Sequence, residues 1–236
     1  MALVMSALDT VLVPIHRAGW PIIAGFAIVS VLLEVFAPPL GWLGLIATLW
    51  CVYFFRDPPR AVPQRAGLLI SPADGRVIMI GPAAPPPELA MGEAPIPRIS
   101  IFLNIFNVHV NRVPADGVVV AAAYHPGRFL NAALDKASDE NERMAVRLRL
   151  EDGREVAFVQ IAGLVARRIV STLTEGQAVR AGERYGLIRF GSRVDVYLPA
   201  GAQPLVAVGQ TAIAGETVIA RFGTGPATPT PAFRED

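Results

Sequence analysis

The chain has 236 residues, 53% of them hydrophobic and 17% charged, with a mean hydropathy of +0.44 and a formal net charge of +1. That length suits one compact domain with an appendage, and the apolar excess points to a segment in lipid or an unusually apolar core. The near-zero charge, with no Lys/Arg-rich run and Lys136 as the only lysine, excludes the basic surface that nucleic-acid binders need. One cysteine, Cys51, excludes an intrachain disulfide and a thiolate zinc site, and no other metal set is expected.

Residues 1–15 read as a short amphipathic lead-in. Residues 20–36, WPIIAGFAIVSVLLEVF, carry one charge, Glu34, and are followed by the breaker Ala37-Pro38-Pro39-Leu40-Gly41. Residues 42–55, WLGLIATLWCVYFF, carry none. Neither arm reaches the roughly 20 residues of a comfortable membrane span. The flanks are basic at both ends: His16 and Arg17 before, Arg56 and Arg60 after. Positive residues mark the cytoplasmic side, so the pattern predicts a helical hairpin that enters and leaves on one face. A pair of core helices in a soluble domain is the competing reading; it requires protein on every side of both arms.

From Arg56 the pattern changes to short β-like runs broken by Gly, Pro and Asp, among them GRVIMI, RISIFLN, GVVVAAAY, MAVRLRLE, EVAFVQIAG and VDVYLP. These predict a mainly β barrel or sandwich. Residues 82–97 are proline-rich and predict a loop; residues 127–143 predict a second long loop with some helix. The echo between Gly176–Glu183 and Gly209–Glu216 resembles the hammerhead turns of lipoyl-type barrels. A carrier role would need an exposed lysine in such a turn, and Lys136 lies outside both. The expected domains are therefore 1–62, a membrane-associating hairpin; 63–222, a β-rich domain; and 223–236, a flexible tail.

Three stretches carry candidate chemistry: Ser71–Val77 with Asp74, Phe106–Pro114 with His109, and Phe190–Val196 with Ser192. Asp, His and Ser together can activate a hydroxyl if the fold brings them together. His109 shares a strand face with Asn107 and Asn111 by period-two alternation, a polar stripe that needs hydrogen bonds if buried. His125, before Pro126-Gly127, is a second candidate at the same cleft.

FFRDPPR, SPADGRV, FNVHVNRVPADG, YHPGRFLNAALDKASDENER and FGSRVDVYLP resemble, in order, the successive motifs of short bacterial phosphatidylserine decarboxylase proenzymes. The resemblance runs from about Arg56 to about Phe222, and archaetidylserine decarboxylases are similar. It implies self-cleavage between Gly191 and Ser192: the Ser192 hydroxyl attacks the Gly191 carbonyl, and the resulting ester eliminates to leave a covalent pyruvoyl group at position 192. The family's triad maps to Asp74, His109 and Ser192, with His109 as general base and Asp74 orienting it. The implied mature enzyme has a large chain, 1–191, and a small chain, 192–236, and leaves room for a homo-oligomer. Its implied substrate is phosphatidylserine at the cytoplasmic face of the cell membrane. Arg56, Arg60 and Arg65 are candidates for lipid phosphate, or equally for topology-setting charge. A second histidine that longer members carry three residues before the triad His is Phe106 here, with His125 as a candidate substitute. Two other readings stay open: a serine hydrolase, which lacks its G-x-S-x-G elbow here, and a non-enzymatic membrane-anchored barrel.

Overall fold

The computed structural model describes residues 13–134, 137–163, 169–189 and 191–222. The expected tail from Gly223, residues 1–12 of the lead-in, Lys136 and Phe190 lie outside them. The chain divides into two compact units between Pro59 and Arg60.

The first unit is a helical hairpin. Helix α1 spans Trp20–Phe36 and helix α2 spans Pro38–Phe54. The break is narrower than the Ala37–Gly41 stretch predicts. Only Ala37 leaves helical geometry, with φ −152° and ψ 82°. A residue before proline is pushed out of the α region, while proline itself is well suited to start the next helix, as Pro38 does. Small residues let the two helices approach: Ser30 Oγ lies 3.3 Å from Thr48 Oγ1, and a Cβ on Gly44 would strike Ser30. The ends of the hairpin meet in an antiparallel bridge between Ile15 and Arg56. Arg17–Phe36 forms a helical run of 20 residues with mean hydropathy 2.0, long and apolar enough to cross a membrane by length and composition. Val35, Phe36, Trp42, Leu43 and Ile46 are all more than 60% exposed, so both helices present apolar surface outward. That surface supports association with a membrane rather than a buried helix pair.

The second unit is mainly β. Its largest sheet has eight antiparallel strands in the order β13-β2-β3-β11-β7-β6-β5-β9. These are β2 (Gly75–Ala83), β3 (Ile96–Leu103), β5 (Gly117–His125), β6 (Arg143–Arg149), β7 (Glu155–Ile161), β9 (Ala178–Val179), β11 (Ser192–Tyr197) and β13 (Thr211–Ala212). Two three-stranded sheets flank it. One orders β1 (Leu68–Ile70), β14 (Val218–Arg221) and β12 (Gln203–Pro204); the other orders β4 (Val110–Arg112), β10 (Arg184–Ile188) and β8 (Ile169–Ser171). The proline-rich 82–97 stretch holds the end of β2, a 3-10 turn at Pro87–Leu89 and the first residues of β3. The 127–143 stretch holds the short helix α3, Ala137–Glu140.

The arrangement is two-fold about the β7–β11 pair. Hairpin β2–β3 corresponds to β5–β6, β13 to β9, and one small sheet to the other. The match reaches individual bonds. Ile70 N donates to Pro114 O and Arg112 N donates to Pro72 O, both at 2.9 Å. Val77 N donates to Gln210 O and Val119 N to Gln177 O, again both at 2.9 Å. Asp74 Oδ1 caps Ala214 N at 2.8 Å, and Asp116 Oδ1 caps Ala181 N at 2.7 Å. β2 shifts register at Val77/Met79 and β5 at Val119/Ala121. The core lies on the inner face of the large sheet, where Ile99, Ile101, Leu103, Val194, Val196 and Phe158 are fully buried.

Candidate active site

Ser192 opens β11, between Leu103 of β3 on one side and the end of β7 on the other. Alternation points its side chain to the same face as Val194 and Val196, into the apolar core. The residue is 0% exposed and its Oγ has no hydrogen-bond partner among the described residues. An unsatisfied buried hydroxyl costs about 1–3 kcal/mol, so this group stands apart from the settled polar atoms around it.

The residue before it is equally constrained. Gly191 sits at φ +64°, in the left-handed region. A Cβ there would meet nothing within 4 Å, so glycine is required by conformation rather than by space. The space constraint falls on Gly163, just past β7, where a Cβ would collide with the Gly191 carbonyl oxygen and crowd Ala132. The Gly191–Ser192 bond thus has a left-handed glycine on one side, a buried hydroxyl on the other, and its carbonyl facing Gly163, a position with no side chain.

His109 reaches this region through the connection between β3 and β4. Asn104 N donates to Asn107 Oδ1 and Phe106 N to Asn104 Oδ1, both at 2.8 Å, fixing a tight turn. The strand that follows pairs Val110 with Leu187, and Ile188 N donates to His109 O at 3.4 Å. Leu103 and Val110 are therefore tied to Ser192 and Leu187, and the 104–109 and 188–191 connections start and end together. His109 is 1% exposed, with Nδ1 2.9 Å from Asn107 O. A carbonyl can only accept, so Nδ1 carries the proton and the buried Nε2 is the basic nitrogen.

Asp74 lies in the turn before β2. Its Oδ2 pairs with Arg60 Nη2 at 2.7 Å. Pro72 O, in the same turn, accepts from Arg112 N and, at 3.4 Å, from Asn111 Nδ2. The turn is thereby tied to the strand that follows His109. Asn111 Oδ1 in turn accepts from Gln160 Nε2 at 2.8 Å, with both residues 0% exposed. His109 and Asn111 are buried, but Asn107 is half-buried in the turn that precedes β4, so the predicted strand-face stripe holds only in part.

His125 ends β5. A ladder row runs from it through Arg143 and Ile161 to Arg193. Three strand spacings amount to about 14 Å along the sheet. Its side chain is exposed. Arg56 belongs to the hairpin unit, where it donates to Tyr53 O and stacks 3.7 Å over the Tyr53 ring. Arg60 is in the β unit, engaged with Asp74.

Gly163 and Gln160 escaped the sequence reading. Nothing in IAG distinguishes a glycine that faces a backbone carbonyl from one in a turn. Gln160 left a trace as the lone polar residue in the run Val156–Ala162, where a buried amide needs a partner.

The family model for phosphatidylserine decarboxylase matches residues 47–220. The chain belongs to the phosphatidylserine decarboxylase family. Among its relatives, the phosphatidylserine decarboxylase proenzyme of Paramagnetospirillum magneticum is 62% identical over 207 residues, covering 88% of this chain and 86% of that one. The proenzyme of Cereibacter sphaeroides is 56% identical over 216 residues, covering 92% and 93%. The match spans all three stretches that carry Asp74, His109 and Ser192.

Proposed function

We propose that this chain is a proenzyme that cuts itself between Gly191 and Ser192, converts Ser192 into a covalent pyruvoyl group, and with it decarboxylates phosphatidylserine to phosphatidylethanolamine at the cytoplasmic face of the membrane. The observation that carries this reading is the buried Ser192 Oγ, without a partner among the described residues, beside a left-handed Gly191. Relatives named as phosphatidylserine decarboxylase proenzymes support both the substrate and the processing.

In the maturation step His109 Nε2 takes the hydroxyl proton and Ser192 Oγ attacks the Gly191 carbonyl carbon. The Gly191–Ser192 C–N bond breaks and an ester forms, with the proton passing to the freed amine. Loss of the Ser192 α-proton then expels residues 1–191 as a carboxylate, and addition of one water to the remaining unsaturated residue releases ammonia. The apolar surroundings of Ser192 keep water from the ester until elimination. Asp74 carries the negative charge assigned to stabilising the His109 cation, through a turn whose geometry Arg60 and Ala214 N–H fix.

The residues present suit a pyruvoyl group: position 192 is buried, apolar on its own face, and bounded by Gly163. When formed, that group supplies a ketone that binds the substrate amine and takes up the electron pair left by departing CO₂. The domain reading follows the same logic, with residues 1–62 holding the enzyme on the bilayer that contains its substrate, 63–222 forming the decarboxylase and 223–236 a tail.

The test is a denaturing gel of purified protein. Wild type should run as two bands, with the smaller blocked to Edman sequencing, and Ser192→Ala should run as one and be inactive. Fully active wild type that remains a single chain would contradict the proposal.

A further inference from the structure

Scission would turn residue 192 from the middle of a chain into its end, and chain ends fray unless something holds them. The residue that bears the reactive group can least tolerate this, since a displacement of about 1 Å can cost about a hundredfold in rate.

The next residue on β11 has the means to prevent it. Arg193 is 0% exposed and points to the opposite face from Ser192. Its Nε donates to Asp195 Oδ1 at 2.6 Å and its Nη2 to Asp195 Oδ2 at 2.7 Å, a bidentate pair within one strand. Asp195 is also 0% exposed. The remaining donors reach elsewhere: Nη1 to Leu134 O at 2.9 Å and Ala132 O at 3.4 Å, and Nη2 to Ser138 Oγ. Ser138 Oγ closes the loop by donating to Asp195 Oδ2 at 2.9 Å. Arg98 Nη1 adds a charge contact to Asp195 at 3.6 Å. The environment is dry enough that the Tyr197 hydroxyl, on the same strand face, is pushed up to about 12, by burial first and by the Asp195 charge second.

Two features separate this cluster from ordinary packing. A buried ion pair contributes little net stability, because desolvation offsets its attraction, and apolar residues of similar volume often serve as well. Its presence therefore needs a reason other than stability. Second, the partners of Arg193 named here other than Asp195 lie on Ala132, Leu134 and Ser138, across the expected cut. The stretch that holds Ala132 borders the scissile bond, since Ala132 packs against Gly163, which faces the Gly191 carbonyl. Its start is pinned separately by Asn141, which bonds Leu130 N, Leu130 O and Ala162 O at 2.7–2.9 Å.

We propose that Arg193, locked to Asp195, is a positioning residue that holds the new chain end of the small chain against Ala132, Leu134 and Ser138 of the large chain. The inference rests on self-cleavage at Gly191–Ser192. It assigns to Arg193 no contact with substrate. A lysine cannot take over, because one ammonium cannot reach a carboxylate bidentately and two carbonyls together.

The full-length protein in detergent–lipid micelles supports the test, with Arg193→Met/Asp195→Leu, Arg193→Lys and Ser138→Ala variants. Melting, extent of cutting, kcat and KM for phosphatidylserine, and hydrogen exchange of residues 192–196 are measured on each. The double variant should melt below wild type, because buried Arg98 loses its charge contact to Asp195. Its matured fraction should lose about tenfold or more in kcat, with KM within about twofold and faster exchange at 192–196. Arg193→Lys should fall between. Double-variant kcat within about twofold of wild type, with unchanged exchange, overturns the proposal. If the double variant does not fold, Ser138→Ala decides: a several-fold kcat loss supports the clamp, and wild-type kcat overturns it. Wild type that stays one chain overturns the self-cleavage reading and the clamp with it; two-chain wild type with indifferent variants overturns the clamp alone.

Discussion

The two halves of the large sheet begin from one plan and finish it differently. On one side β6 runs directly into β7 through a tight turn, with Leu150 N donating to Arg154 O at 2.8 Å and Gly153 at φ +83°. On the other side the corresponding strands are β3 and β11, and the corresponding pair of residues is Gly191, at φ +64°, and Ser192. Here the chain does not turn. It leaves β3 at Leu103 and returns only at Ser192, having built β4 to β10 in between. The same backbone slot, a left-handed glycine followed by the first residue of a strand, is an exposed turn in one half and a buried bond in the other. Gly153 is exposed and Ser192 is fully buried. The difference teaches that the glycine does not make the site. On the proposed reading the long return does, because it brings the 104–109 connection that carries His109 beside the 188–191 connection and sets Gly163 against the Gly191 carbonyl.

The comparison can be broken most sharply at His109, which has no counterpart in the closed turn. His109→Gln should slow cutting by about 10²–10⁴, the usual worth of a general base, followed as the rise of the small band after synthesis. Arg154→Ala, at the position matching Ser192, should leave cutting unchanged.

A second contrast uses the glycines. Gly163→Ala drives a methyl into the Gly191 carbonyl oxygen and should slow cutting by about tenfold or more. Gly153→Ala, where a Cβ meets nothing within 4 Å, should cost only the left-handed penalty of about 1–2 kcal/mol, read as a lowered Tm with normal cutting.

The paired aspartates give a smaller effect. Asp74→Asn and Asp116→Asn both keep an Oδ1 acceptor for their caps. Only Asp74 also pairs with Arg60 and sits in the turn tied to β4. Asp74→Asn should reduce cutting and turnover several-fold, and Asp116→Asn should do neither.

Much of this architecture was legible in the sequence. The β-rich body followed from short alternating runs between turn residues, and the apolar helices from two arms that share a single charge, Glu34. The internal symmetry was half visible. The Gly176 and Gly209 echoes carry part of it, while Pro72-Ala73-Asp74-Gly75 and Pro114-Ala115-Asp116-Gly117 form its plainest trace, made equivalent by the reciprocal hydrogen bonds of the two turns. At the site, the Asn-His-Asn stripe and the Gly-Ser bond could be picked out because buried polar groups are scarce in an apolar chain. Gly163 and the partners of Arg193 could not, because what matters there is which distant backbone passes close by, and no local pattern encodes it.

The smallest effect expected lies on the outer face, where Arg143 Nε meets Glu88 Oε1 at 2.6 Å. Burial alone would raise the Glu88 carboxyl, but the Arg143 hydrogen bond and charge outweigh it and hold it below its ordinary value. A carboxyl lowered by folding stabilises above its ordinary range and stops doing so as pH falls through the lowered value. Glu88→Gln should therefore lower Tm near neutrality, and its deficit against wild type should shrink as the solution is acidified through that range.

The central claim concerns the atom at the start of the small chain, and the intact mass of that chain in purified wild-type protein tests it most directly. A fragment of residues 192–236 lighter by one ammonia than the same peptide beginning with serine is the predicted result. A fragment of unmodified mass, or its absence from fully active enzyme, would contradict it.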